Sequence, residues 1–190
     1  MKSLKSIGLM LAATLVMNVS FGQKMMADEK TVEVGGAAMF PSKNIVENAV
    51  NSKDHTTLVA AVKAAGLVET LMSAGPFTVF APTNAAFGML PAGTVETLVK
   101  PENKAKLTGI LTYHVVAGKL DSDALKAKIK EGNGTAELTT VAGGKLWVIK
   151  KDGKLWLKDE NGGMAQITIK DVYQSNGVIH VIDTVVLPKS

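Results

Sequence analysis

The segment Gly75–Phe87 reads GPFTVFAPTNAAF. Phe77-Thr78-Val79-Phe80 is a short β-prone run closed by Ala81-Pro82. Thr83 or Asn84 then caps a short helix that carries Ala85, Ala86, Phe87 and Leu90. Pro91-Ala92-Gly93 ends it. The segment therefore predicts a strand that runs through a proline turn into a capped helix. No acid, base, thiol or histidine lies within it. It specifies architecture and carries no reaction chemistry.

Two later segments extend this reading. One is Leu111-Thr112-Tyr113-His114-Val115-Val116, followed by Ala117-Gly118-Lys119-Leu120. The other is Asn176–Pro188, NGVIHVIDTVVLP. In order and spacing the three segments resemble the motifs of the fasciclin domain (FAS1, beta-Ig-H3), and the resemblance covers about 42–188. It implies an α+β fold, a wedge of two β-sheets with several α-helices packed on one side. It implies structural roles for Phe80, Pro82, Thr83, Asn84, Phe87, Tyr113, His114, His180 and Asp183. It also implies a non-enzymatic adhesion module without a cofactor, contacting protein or carbohydrate at the cell envelope or matrix. Some family members bind carotenoids, so the alternative is a carrier of a small apolar ligand such as a carotenoid.

The N-terminus reads as an export signal over 1–22. Lys2 and Lys5 precede the uncharged, mostly apolar run Ile7–Val19, and Ser20-Phe21-Gly22 offers small residues for cleavage. The run of 13 residues is short of the ~20 that span a bilayer. No later segment is apolar for long enough, so no span is expected after cleavage. The expected location is the periplasm or the medium. The chain has no cysteine, which excludes disulfides, thiol chemistry, cysteine-bound zinc and a lipid-anchored N-terminal cysteine.

All 21 basic residues are lysine. Without Lys2 and Lys5 the formal charge falls from +4 to +2. Phosphate and base recognition favour the bidentate fork of arginine, so nucleic acid is not an expected partner. Scattered lysines fit a solvated surface with weak affinity for acidic polysaccharide.

Residues 23–41 are polar and small, with Gly35-Gly36-Ala37-Ala38, and read as a flexible tether whose Met39-Phe40-Pro41 end docks on the domain. Helical spacing follows from Asn44 and again from 54–56 to Gly66. The second half is strand-rich, with Gly-Gly, Asp-Gly, Asn-Gly-Gly and Asn-Gly between strands at Leu138–Val141, Lys145–Lys150, Lys154–Lys158, Ala165–Tyr173 and Val178–Leu187. Helices early and strands late argue for α+β.

His114 and His180 read as strand residues among apolar neighbours. His180 and Asp183, three apart in a strand, point to opposite faces, which argues against a His-His-Asp metal or acid–base site. No nucleophile elbow, phosphate loop or calcium loop is present. Met25, Met26 and Met39 lack the regular spacing and neighbouring histidines of a copper site.

The hairpin Lys145–Lys158, KLWVIKKDGKLWLK, is the candidate contact surface. If Leu146 pairs with Leu157 and Val148 with Leu155, Trp147 lies opposite Trp156. Both indoles and Ile149 then share the outer face. A three-residue loop with a bulge at Gly153 would instead split the tryptophans. The shared face reads either as a stabilising aromatic pair or as a platform for a sugar ring, an apolar polyene or a protein partner.

Overall fold

The computed structural model describes residues 30–189. The signal-peptide reading of 1–22 lies outside them. The described chain forms strands β1 (Val32–Val34) and β2 (Ala37–Met39), then helices α1 (Ile45–Ala49), α2 (Thr56–Ala65) and α3 (Val68–Met72). Strand β3 (Phe77–Pro82), helices α4 (Asn84–Gly88), α5 (Thr94–Leu98) and α6 (Lys104–Tyr113), strand β4 (Val115–Ala117) and helix α7 (Ser122–Glu131) follow. Five strands complete it: β5 (Thr135–Thr139), β6 (Lys145–Lys151), β7 (Lys154–Lys158), β8 (Met164–Gln174) and β9 (Gly177–Ile182).

The strands of the main sheet run in the order β4-β3-β9-β8-β7-β6-β5, with β3 and β9 parallel and every other pair antiparallel. Strand β8 is long and carries two register irregularities, at Ile167/Ile169 and Ile169/Val172. Bulges bend a strand and sharpen its twist, and here the sheet folds over on itself into two halves. A lone bridge between Val116 and Thr140 brings its ends together. The result is an α+β wedge.

Two cores fill the wedge. Val79, Ala81, Ile179 and Val181 face a helical core with Leu58, Val62, Leu71 and Leu111. Phe80 and Ile182 face the opposite way, into a core with Tyr113, Leu146, Val148 and Leu157. Strands β3 and β9 are thus covered on both sides, which explains their unbroken apolar runs. Helix α7 contributes Leu125 and Ile129 to the second core.

The opening segment folds as its residues predict. Thr83 is the cap of α4 and accepts from the Ala86 amide at 3.2 Å. Asn84 instead reaches across to the start of α2. It accepts from the Thr57 amide at 2.9 Å and donates to the Lys53 carbonyl at 2.8 Å. Phe87 is buried in the helical core. Pro82 ends β3 opposite Ile182 of β9.

Three expectations are corrected. The tether over 23–41 is not a tether where it is described: Val32–Val34 and Ala37–Met39 pair as a hairpin, and Val34 and Met39 are each 3% exposed. Gly35-Gly36 is its tight turn, with both residues at positive φ. His114 does not lie in a strand; it is the C-terminal cap of α6, which ends at Tyr113. The apolar stripe Leu107, Ile110, Leu111 carries the helix through the β-prone residues. The last strand stops at Ile182, although Val185 and Val186 beyond it are buried.

Candidate functional site

The register of the β6–β7 hairpin is set by Asp152-Gly153, at φ 52° and 77°. Such a pair makes the two-residue turn that matches the twist of antiparallel strands. Lys151 therefore pairs with Lys154, Ile149 with Trp156 and Trp147 with Lys158. The expectation that Trp147 stands directly opposite Trp156 is corrected by this turn, which shifts the pairing by two residues. The parity is unchanged, so Trp147, Ile149 and Trp156 do share one face. The indoles are diagonal neighbours across it. The bulged alternative that would split them is not formed.

Two rows of side chains cross this outer face. Thr135, Ile149, Trp156 and Gln166 form one, and Glu137, Trp147, Lys158 and Met164 the other. Their inward neighbours Leu146, Val148 and Leu157 are fully buried. Both tryptophans are half-buried. The Trp147 indole donates to Glu137 Oε2 at 3.3 Å, while Trp156 Nε1 is buried without a partner.

Lys145, Lys151, Lys154 and Lys158 have the same parity as the tryptophans and surround them. Lys145 pairs with Glu137 at 2.8 Å, which holds the Glu137 carboxyl below its usual range. Lys154 donates to Gln166 Oε1 at 3.3 Å. Among the described residues, no carboxylate pairs with Lys151, Lys154 or Lys158. Sequence reasoning missed Glu137 as a member of this face. The alternation in Thr135–Thr139 was the signal that places Glu137 outward.

Both motif histidines are bonded to the backbone through both ring nitrogens. His114 Nε2 accepts from the Val186 amide at 3.3 Å, so Nδ1 carries the proton that it donates to the Ile110 carbonyl at 2.8 Å. His180 has the reverse tautomer. Its Nδ1 accepts from the Asp171 amide at 3.3 Å, and Nε2–H donates to the Leu120 carbonyl at 2.8 Å. Its ring stacks on Phe80 with centroids 5.7 Å apart. Burial pushes both imidazoles down, His114 to about 4. Both rings are neutral at pH 7 and have no free nitrogen for a metal or a proton transfer.

Asp183 takes no part with either histidine; it accepts from the Gln166 amide at 2.8 Å on β8. Tyr113 donates to the Lys145 carbonyl at 2.6 Å and accepts from the Glu160 amide at 3.2 Å. Burial pushes its phenol up to about 12. Among the described residues, no three acidic or imidazole side chains are grouped to hold a metal ion.

Comparisons with known proteins agree with this architecture. The family model for the Fasciclin domain matches residues 53–188. Protein sll1483 of Synechocystis is 50% identical over 165 residues, covering 87% of this chain and 84% of that protein. Cell surface glycolipoprotein MPB83 of Mycobacterium bovis is 35% identical over 160 residues, covering 82% of this chain and 64% of that protein. A solved FAS1 domain pair from the insect cell adhesion molecule Fasciclin I superposes with a TM-score of 0.69 at 19% identity, covering 78% of this chain and 52% of that one. The sequence motifs, the wedge and the family match lead to one assignment: the chain belongs to the fasciclin domain family.

Proposed function

We propose that this chain is an exported, non-enzymatic adhesion module that holds acidic carbohydrate on the outer face of strands β5–β8. The observation that carries this reading is the shared face of Trp147, Ile149 and Trp156 with Lys145, Lys151, Lys154 and Lys158 around it. Indole faces stack on the apolar C–H faces of sugar rings. Ammonium groups attract carboxylates and sulfates along a polymer, in a manner that salt screens. Glu137 is the one acid among them, and Lys145 neutralises it. The signal-like N-terminus supports export. So do the name of MPB83 as a cell surface glycolipoprotein and that of Fasciclin I as a cell adhesion molecule. Both buried motif histidines are committed to backbone partners, which supports a binding role over a catalytic one.

Calorimetric titration with polygalacturonate and with neutral dextran tests this. Polygalacturonate binds, dextran binds weakly, and the combined Trp147→Ala and Trp156→Ala variant loses both while circular dichroism shows it folded. Replacing Lys151, Lys154 and Lys158 with Gln flattens the salt dependence. If the tryptophan variant binds polygalacturonate as the parent does, the face is not the site. Export is tested separately, by the N-terminal residue of protein recovered from periplasm and medium: it should follow Gly22.

A further inference from the structure

After β9 the chain runs on without regular secondary structure, and residues 184–189 form a strap across the domain. Val185 joins the helical core and Val186 the second core. Three backbone amides tie the strap down. Val186 donates to His114 Nε2 at 3.3 Å, Leu187 to Asp159 Oδ2 at 3.0 Å and Lys189 to Glu160 Oε2 at 3.0 Å. Pro188 has no N–H to offer. Every amide from Val186 to Lys189 is therefore received by a side chain that takes up a proton in acid.

Each acceptor depends on its unprotonated form. His114 Nδ1–H is bonded to the Ile110 carbonyl, so a second proton goes to Nε2 and faces the Val186 amide. Asp159 Oδ1 also accepts from the Asn161 and Gly163 amides, at 3.0 and 2.7 Å. Glu160 Oε1 accepts from the Lys145 amide at 2.9 Å. Both oxygens of each carboxylate are thus in use, and protonation replaces charge-assisted bonds by neutral ones about half as strong. The Lys189 and Lys145 amides hold the Glu160 carboxyl below its usual range, and the two ammonium groups act in the same direction. Tyr113, bonded to the Glu160 amide, keeps its proton throughout, with its phenol pushed up to about 12 by burial. At the start of the strap, Asp183 accepts from the Gln166 amide and the Thr184 hydroxyl.

We infer that residues 184–189 are an acid-released strap, which detaches from the otherwise folded domain as His114, Asp159 and Glu160 take up protons. His114 acts first. Docked under the strap it titrates at about 4, and once released to water it returns towards 6.5. Between pH 7 and 4.5 that difference raises the ratio of released to docked strap by about 50-fold. The lowered carboxyl of Glu160 keeps its bonds until the pH falls further, so its contribution is lost last. Burial of Val185 and Val186 opposes release. So does the Asn161 side-chain amide, which donates to the Leu187 and Pro188 carbonyls at 2.9 and 3.1 Å. Neither of these holds titrates. The strap belongs to no sheet, so its detachment breaks no strand pairing. The inference does not rest on the tryptophan face.

The test is a pH series from 7 to 4.5 on ¹⁵N-labelled protein. The ¹⁵N–{¹H} NOE and the shifts of the Val186, Leu187 and Lys189 amides report the strap. Those of Val79 and Ile179, paired strands of the sheet, report the rest of the fold. The strap amides are rigid at pH 7 and become mobile towards pH 4.5, with the released-to-docked ratio rising about 50-fold, while Val79 and Ile179 stay rigid. Asp159→Asn combined with Glu160→Gln removes one acceptor oxygen from each pair and releases the strap already at pH 7. If that pair does not fold, Glu160→Gln alone moves the midpoint of release to higher pH. The inference is overturned by a strap that stays rigid to pH 4.5 or is already mobile at pH 7. It is overturned equally if strap and sheet lose rigidity together, or if Glu160→Gln follows the parent's profile.

Discussion

The Val186 amide donates to His114 Nε2, joining the end of α6 to the segment after β9 across 72 residues of sequence. Protonation of that nitrogen would set an N–H against an N–H. Burial pushes the native imidazole down to about 4, whereas in the unfolded chain it titrates near 6.5. Between those values the unfolded chain binds the extra proton, so stability is full above about pH 6.5 and falls as the pH drops towards 4. His114 alone accounts for ~3 kcal/mol of that loss. His180 and His55 are lowered by the same burial and add in the same direction. Urea unfolding at pH 7.5 and 4.5 checks it; equal midpoints would contradict the buried neutral ring.

Two glycines give opposite expectations. A Cβ on Gly177 would lie 2.1 Å from the Phe77 carbonyl oxygen, within the parallel β3–β9 pair. Gly177→Ala forces the two motif strands apart and costs more than ~3 kcal/mol. Gly153 has φ 77° but nothing within 4 Å. Gly153→Ala bears only the left-handed backbone cost, about 1 kcal/mol. Thermal melts of the two variants should differ plainly.

Asn176 uses its whole side chain to tie the start of α1 to the end of α3. Its Oδ1 accepts from the Ile45 amide at 3.0 Å, and Nδ2 donates to the Leu71 and Ser73 carbonyls at 2.8 Å each. Asn176→Ala leaves the buried Ile45 amide and Leu71 carbonyl without these bonds, at a cost of roughly 2–4 kcal/mol. Asn176→Asp keeps the acceptor but loses both donors and is also destabilised. Chemical denaturation ranks the two variants against the parent chain.

Removal of residues 23–41 should destabilise the domain. It strips Val34 and Met39 from the core, at about 1.5–3 kcal/mol for each buried side chain. It also takes away Phe40, whose backbone bonds to both side-chain ends of the buried Asn48. The hydrophobic dye ANS should bind the shortened protein more strongly. A flexible tether would leave dye binding and the melting temperature unchanged.

Local chemistry was legible in the sequence, and pairing over distance was not. The cap at Thr83, the stop at Gly66 and the run of β3 follow from neighbouring residues alone. His114 misled because the β-branched residues after it favour strands, whereas packing of the α6 stripe decided the outcome. The β1–β2 hairpin escaped notice because three-residue strands are too short for alternation to register. For the candidate face, its membership was readable from parity. Its exact pairing depended on which two residues formed the turn. Asp152-Gly153 carried that information, since the Asp-Gly dipeptide favours the turn observed.

The Val116–Thr140 bridge has a consequence for how this protein can aggregate. An open sheet offers two rows of unpaired amides and carbonyls to any passing chain. Here the terminal strands β4 and β5 meet at the bridge, and α7 lies over β5. The main sheet therefore gives little purchase for edge-to-edge growth into fibrils. A chain without disulfides gains protection of that kind from topology rather than from covalent links.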